Sequence, residues 1–215
     1  MEIFVAPSIL SADFAKMGKE VEYMQACGAD MIHCDVMDGA FVPNITFGPQ
    51  MVKAVRKHAT IPLDVHLMIN EPIRYVEAFA KAGADYITIH YESCDNVAQT
   101  LEKIRSLGVK SGLVISPDTK AEVVKEFLPL CDMVLVMSVY PGFGGQKFIP
   151  EALGKLKAIS GWIKDLGADI RLEVDGGING ETAIAVKEAG ADTLVAGSYV
   201  FGSTDPAKTI ASLKE

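Results

Sequence analysis

Two short apolar runs carry histidine and aspartate two residues apart: HCDVM at His33–Met37 and DVHLM at Asp64–Met68. A third, RLEVD, ends at Asp175. In an extended strand alternate side chains share a face. Met31, His33, Asp35 and Met37 therefore fall together, as do Asp64, His66 and Met68, and Arg171, Glu173 and Asp175. Imidazole and carboxylate groups inside a core are costly unless something partners them. Brought to one height by three strand ends, His33, Asp35, His66 and Asp175 make a four-donor N/O set. Such a set suits one borderline divalent ion, such as Zn²⁺, Mn²⁺, Fe²⁺ or Co²⁺, better than Ca²⁺. The competing reading is four hydrogen-bonded polar residues in a wet interior. Asp64, Arg171 and Glu173 lie deeper on the same faces and are expected to pair with one another or with water. His90, closing ITIH, is expected to hydrogen-bond rather than ligate, and His58 to be solvated. Met37, Met68 and Met137 read, from residue type alone, as core filler.

Three glycine-bearing turns lie nearby: PGFGGQ at Pro141–Gln146, DGGI at Asp175–Ile178, and AGS at Ala196–Ser198. PGFGGQ lacks the Lys-Ser/Thr of a P-loop. Glycines also make ordinary tight turns. Three such turns around one mouth nevertheless suit an anion held by backbone N–H groups and a helix start. No lysine falls on an inward strand position, which counts against Schiff-base chemistry, with Lys147 in the loop as the reservation.

Something must position these groups. Gly-Ala-Asp recurs before apolar runs at Gly28, Gly83, Gly167 and Gly190, spaced 55, 84 and 23 residues apart. These spacings are two, three and one multiples of about 25–28 residues, a length that holds one helix, turn and strand. Each glycine is expected to end a helix at positive φ. Filling the gaps gives eight strands near residues 4–9, 31–36, 63–68, 86–90, 111–115, 133–138, 170–174 and 193–197, each followed by a helical stretch. Asp95, Asn179 and Thr204 are candidate N-caps, and Pro72 suits a first helical turn. Strand and helix alternating eight times predicts an α/β fold, a single-domain (β/α)8 TIM barrel over residues 1–215. An open doubly wound sheet is the alternative. In a barrel the four donors and the glycine turns meet at the carboxyl ends of the strands.

Composition sets the outer limits. The chain is 49% hydrophobic and 22% charged, enough for a sizeable core. Its formal net charge of −8 argues against non-specific nucleic-acid binding but leaves a small anionic ligand open. No apolar run reaches the ~18 residues of a membrane helix. MEIFVAPSIL does not read as a signal peptide. Cys27, Cys34, Cys94 and Cys131 form no CxxC pair and read as free thiols. A cytoplasmic protein that binds neither nucleic acid nor membrane is expected.

Two carboxylates on different strands beside a cation, with phosphate held close by, suit inversion at a carbon next to a carbonyl. One group removes a proton and the other returns one to the opposite face. SILSADF, HCDVMDGAFVPN, DVHLM, VMSVYPGFGGQKFIP, EVDGGI and AGSYVFG resemble the ribulose-phosphate 3-epimerase family along the length of the chain. The resemblance implies a metal-dependent isomerase of carbohydrate metabolism that interconverts D-ribulose 5-phosphate and D-xylulose 5-phosphate in the pentose phosphate pathway. It implies a divalent ion on His33, Asp35, His66 and Asp175, with Asp35 accepting the C3 proton and Asp175 donating one. A 2,3-ene-diolate would lie between the two epimers. Ser8 and His66 would contact the sugar. Gly142, Phe143, Gly144, Gly145, Gly176, Gly177, Gly197 and Ser198 would hold the phosphate. Met37, Met68 and Met137 would lie under the reacting carbons, and a homo-oligomer is implied. Tyr140, SPDTK from Ser116, and Ala40 depart from the family's usual residues near the mouth. They leave D-allulose-6-phosphate 3-epimerase, with a sugar one carbon longer, as an alternative. A phosphate-binding lyase or synthase and a non-catalytic sugar-phosphate-binding barrel are the readings from other classes.

Overall fold

The computed structural model describes residues 2–215. Eight strands form one parallel sheet: β1 (Phe4–Pro7), β2 (Ile32–Met37), β3 (Leu63–Met68), β4 (Tyr86–His90), β5 (Lys110–Ile115), β6 (Met133–Met137), β7 (Arg171–Asp175) and β8 (Thr193–Ala196). Their order is β1-β8-β7-β6-β5-β4-β3-β2. The seam between β1 and β2 is narrow: Asp30 N–H donates to the Val5 carbonyl, and a single bridge joins Ser8 to His33. The (β/α)8 barrel expected from the repeat is the fold observed.

Alternation splits the apolar residues into two sets. Ile32, Cys34 and Val36 of β2 and Leu63, Val65 and Leu67 of β3 face outward into the core shared with the helices. Met31, Tyr86, Met133, Ala6 and Val195 fill the barrel floor. Helices α1 (Met17–Ala26), α2 (Pro49–Arg56), α3 (Val76–Ala82), α4 (Val97–Ser106), α5 (Ala152–Leu166), α6 (Gly180–Glu188), α7 (Ser198–Phe201) and α8 (Pro206–Lys214) supply the outer layer. The repeat glycines take positive φ, 103° at Gly83 and 64° at Gly167, where each caps its helix and turns the chain toward the next strand.

Several local expectations shift. The chain leaves β5 through a 3₁₀ run, Ala121–Leu130, not an α-helix, and Pro129 near its end has no N–H to continue helical bonding. Pro72 opens a three-residue 3₁₀ turn ahead of α3. Asn179 caps α6 in a capping box with Thr182, as expected. Asn96, not Asp95, caps α4, and its side chain accepts from Gln99 N–H. Asp205, not Thr204, caps α8, because Pro206 takes the first helical position and the cap must directly precede it. All four cysteines are free. Among the described residues no helix is long and apolar enough to cross a membrane.

Candidate active site and metal centre

The register of β2 on β3 builds the centre. His33 pairs with Asp64, Asp35 with His66, and Met37 with Met68. Each tier sets a side chain opposite its complement, and the tiers rise from the interior to the mouth. Asp175 joins from the end of β7, level with Met137 of β6. Ser8 joins from β1 and donates through Oγ to Asp35 Oδ2 at 2.5 Å. Since β7, β8, β1 and β2 are successive around the ring, the two aspartates stand three strands apart.

His33, Asp35, His66 and Asp175 each offer a ligand atom, and the four atoms lie within 4.8 Å of one another. His33 Nε2 is 3.3 Å from Asp35 Oδ1 and 3.8 Å from Asp175 Oδ2. His66 Nδ1 is 3.2 Å from Asp35 Oδ1 and 4.0 Å from Asp175 Oδ2. Donors about 2.0–2.1 Å from a tetrahedral ion are about 3.3 Å apart, so only a small contraction is needed. His33 Nε2 is buried and has no hydrogen-bond partner among the described residues. Its other nitrogen, Nδ1, is bonded to the Asp64 carboxylate, the outer partner that aims a ligating imidazole. The donor set therefore fits a divalent ion.

Charges are arranged unevenly. Burial works against ionised Asp35, but the charged His33 beside it opposes this and the carboxyl stands well below the usual carboxylate range. At Asp175, burial and the nearby Asp35 charge outweigh His33 and push the pKa up to about 7. Burial disfavours a charged His33, yet Asp35 and Asp64 overcome it and raise its pKa well above the usual histidine value. Burial lowers that of His66. Near neutrality one carboxylate is thus ionised while the other is divided between its acid and base forms, which suits an acid and base pair.

The deeper charges pair differently from expectation. Asp64 bonds to His33, its register partner, rather than to Arg171. Arg171 starts β7 at the barrel's other end, 3.4 Å from the Phe4 ring centroid and 3.7 Å from Asp192. Glu173 is fully buried, and both its oxygens lack partners among the described residues. Burial and Asp64 push its pKa well up. His90 is hydrogen-bonded as expected, to His66 and Glu92. His58 is partly exposed but pairs with Glu22 at 2.7 Å. Asp38 serves its own loop, accepting from the N–H groups of Ala40, Phe41 and Asn70.

A cavity of about 450 Å³ opens above this cluster. Ser8, Asp35, Asp175, Met68 and Met137 line it, together with Gly142–Gly145, Gly176, Gly177, Gly197 and Ser198. All three glycine turns are therefore brought to one chamber. Met37 instead packs beside Met68 and Val42 without joining the lining, and His33 and His66 are fully buried and also outside it. Gly177 shows why a glycine is needed: at φ +63° an added Cβ would sit 2.5 Å from the Phe148 backbone nitrogen. Gly177→Ala is expected to cost about 2–4 kcal/mol of stability through left-handed strain and overpacking, read as a lower urea midpoint. An unchanged midpoint would contradict that packing.

Sequence reasoning missed two fasteners. Gln146 donates through Nε2 to the carbonyls of Tyr140 and Phe143, folding the loop after β6 on itself. Asn44 Nδ2 donates to the Gly142 carbonyl at 2.8 Å, tying the loop after β2 to the loop after β6. Asn44 closes HCDVMDGAFVPN, but nothing in the sequence names its partner 98 residues away.

Fold and site together define a (β/α)8-barrel enzyme with its ionisable groups and anion-sized chamber at the carboxyl ends of the strands. Residues 4–201 match the model of the ribulose-phosphate 3 epimerase family. A ribulose-phosphate 3-epimerase of Bacillus subtilis (strain 168) is 53% identical over 99% of this chain and 98% of its own length. One from Synechocystis sp. is 51% identical over 99% and 93%, respectively. Among solved structures, KGPDC from Streptococcus mutans superposes with a TM-score of 0.74 over 100% of this chain and 96% of that one, at 13% identity, a likeness of fold alone. The chain belongs to the ribulose-phosphate 3-epimerase family and is an isomerase.

Proposed function

We propose that the mouth of this barrel interconverts D-ribulose 5-phosphate and D-xylulose 5-phosphate by proton transfer at C3 between two carboxylates. The observation that carries this is that Asp35 and Asp175 both line one chamber, from strands three apart around the ring. Asp35 takes the C3 proton, and the electron pair left on carbon moves toward the C2 carbonyl oxygen. Asp175 delivers its proton to the opposite face of C3, which inverts the centre. In the reverse direction the two exchange roles. Ser8 restrains Asp35 through its hydroxyl and contacts the sugar from the chamber wall. His66 is proposed as a ligand rather than a sugar contact, since it is fully buried and not part of that wall. Gly142–Gly145, Gly176 and Gly177 enclose the phosphate with the first turn of α7 at Gly197 and Ser198, where helix-start N–H groups need no intrahelical partner. Met68 and Met137 present polarizable sulfur to the reacting carbons, with Met37 packed beside Met68.

A divalent ion, zinc first among the candidates, would be held by His33, Asp35, His66 and Asp175 and would supply positive charge beside the ketose oxygens. Binding requires His33 Nε2 to give up the proton it holds near neutrality, whereas Asp175 would bind through one oxygen and keep the other for the C3 proton. Zinc uptake by the metal-free protein at pH 6–7 is therefore expected to release protons. Apparent zinc affinity should fall as pH drops, because protons and metal compete for His33 Nε2. Calorimetry in buffers of different ionisation enthalpy reads this directly, and pH-independent affinity would contradict it.

Tyr140 lies half-exposed on the cavity edge, its hydroxyl donating to Asp118 of the loop after β5 at 2.9 Å. Because Tyr140 borders the chamber, substrate length is decided by experiment: kcat/KM for D-ribulose 5-phosphate should exceed that for D-allulose 6-phosphate. The reverse order would make the hexulose phosphate the substrate. One catalytic domain over residues 1–215, working in the cytoplasm as a homo-oligomer, completes the reading. Light scattering of the purified protein tests the last point.

A further inference from the structure

A chain of hydrogen bonds leads away from the His/Asp cluster to the ends of β4 and β5. His66 Nε2 lies 2.9 Å from His90 Nε2, the two rings stacked with centroids 5.0 Å apart. His90 Nδ1 lies 3.0 Å from Glu92 Oε2. Both histidines are fully buried. The remaining Glu92 oxygen, Oε1, accepts from Ser116 N–H at 2.8 Å and from the Thr119 hydroxyl. We propose that Glu92, acting through His90, is a positioning residue that fixes the proton of His66 on Nε2 and leaves Nδ1 as a bare lone pair facing Asp35.

The argument is one of donors and acceptors. Two imidazole nitrogens in contact need one proton between them, and either ring can carry it. Glu92 breaks the tie. Burial disfavours its charge, but the bonds from His90, Thr119 and Ser116 N–H outweigh this and bring its pKa down to about 2. An ionised carboxylate only accepts, so His90 must carry its proton on Nδ1. Its Nε2 is then an acceptor, and His66 must donate from Nε2. Ser116 Oγ, 3.3 Å from His90 Nδ1, can donate or accept and so imposes nothing. The outcome is that His66 Nδ1 presents a lone pair 3.2 Å from Asp35 Oδ1. Two electron-rich atoms face each other there, an arrangement relieved by a cation between them. On the other side of the cluster the Asp64 carboxylate does the same for His33, holding a proton on Nδ1 and directing Nε2 inward. The use of the relay, though not the tautomers it sets, rests on the reading of His66 as a metal ligand.

Glu92→Gln is the informative change. The amide oxygen must stay toward Ser116 N–H and the Thr119 hydroxyl, which forces the NH₂ group toward His90 Nδ1. His90 then carries its proton on Nε2, and the His66 proton moves to Nδ1, where a ligand lone pair is needed. ¹⁵N-histidine spectra of the full chain, metal-free and zinc-loaded, report the tautomers directly. Wild type is expected to show His90 Nδ1–H and His66 Nε2–H. E92Q is expected to show both inverted in the metal-free protein, zinc affinity reduced about 10–100-fold, and kcat reduced with KM little changed. Thr119→Val, which removes one bond to Glu92 and keeps its charge, should leave the tautomers as in wild type. Unaltered tautomers and zinc affinity in E92Q would overturn the proposal. So would a T119V variant that loses zinc affinity to the same extent, because loop packing would then be the cause. Wild type that takes up no zinc yet inverts its tautomers on E92Q would refute the metal reading and leave the relay standing.

Discussion

Replacing Asp35 with asparagine is expected to abolish measurable epimerisation, a fall in kcat of about 10²–10⁴-fold or more, while the protein stays folded. The amide has the carboxylate's shape and keeps an oxygen that can accept from Ser8 Oγ. It lacks the negative charge that makes Asp35 a base and that holds His33 protonated at neutral pH. Turnover should be read together with circular dichroism and a thermal midpoint, so that loss of fold is separated from loss of chemistry. Near-wild-type turnover in a folded variant would remove Asp35 from the mechanism.

Asp175→Asn is expected to have an equally large effect on epimerisation but a different signature. The base on β2 remains, so the epimer whose C3 hydrogen faces Asp35 should still exchange that hydrogen with solvent. Its mirror at C3, whose hydrogen faces β7, should not. Each epimer is therefore offered separately in D₂O and followed by proton NMR. Exchange confined to one epimer supports carboxylates on opposite faces. Equal exchange from both would mean that one group serves both faces. The pKa of about 7 at Asp175 gives the variant a further consequence. In wild type, delivery of the proton weakens as pH rises through the pKa of the donor, and D175N should lose this dependence along with its activity.

Much of this arrangement was legible because strand alternation is rigid. Once HCDVM and DVHLM were read as strands, His33, Asp35, His66 and Asp64 had to face the interior. What alternation does not give is register. The opposition of His33 to Asp64 and of Asp35 to His66 depends on how β2 sits on β3, which no local pattern specifies. For the same reason Arg171 was grouped with Asp64 and Glu173, although it lies at the barrel's far end against Phe4. Cap positions moved by one residue because Asp95 and Asn96 are both good caps and only the backbone chooses between them. Glu92 was passed over because its partners, His90, Ser116 and Thr119, belong to two different strand ends. The glycine turns were found by composition, but their convergence on one chamber is a property of the closed ring.

The most direct test of the two-carboxylate account is proton NMR of D-ribulose 5-phosphate in D₂O with wild-type protein whose metal content has been measured. Asp175 carries a solvent-derived hydron before it meets the substrate. The D-xylulose 5-phosphate formed in the first turnovers is therefore predicted to hold deuterium at C3. Product that keeps the substrate's own hydrogen at C3, or metal-loaded protein that inverts nothing, would contradict it.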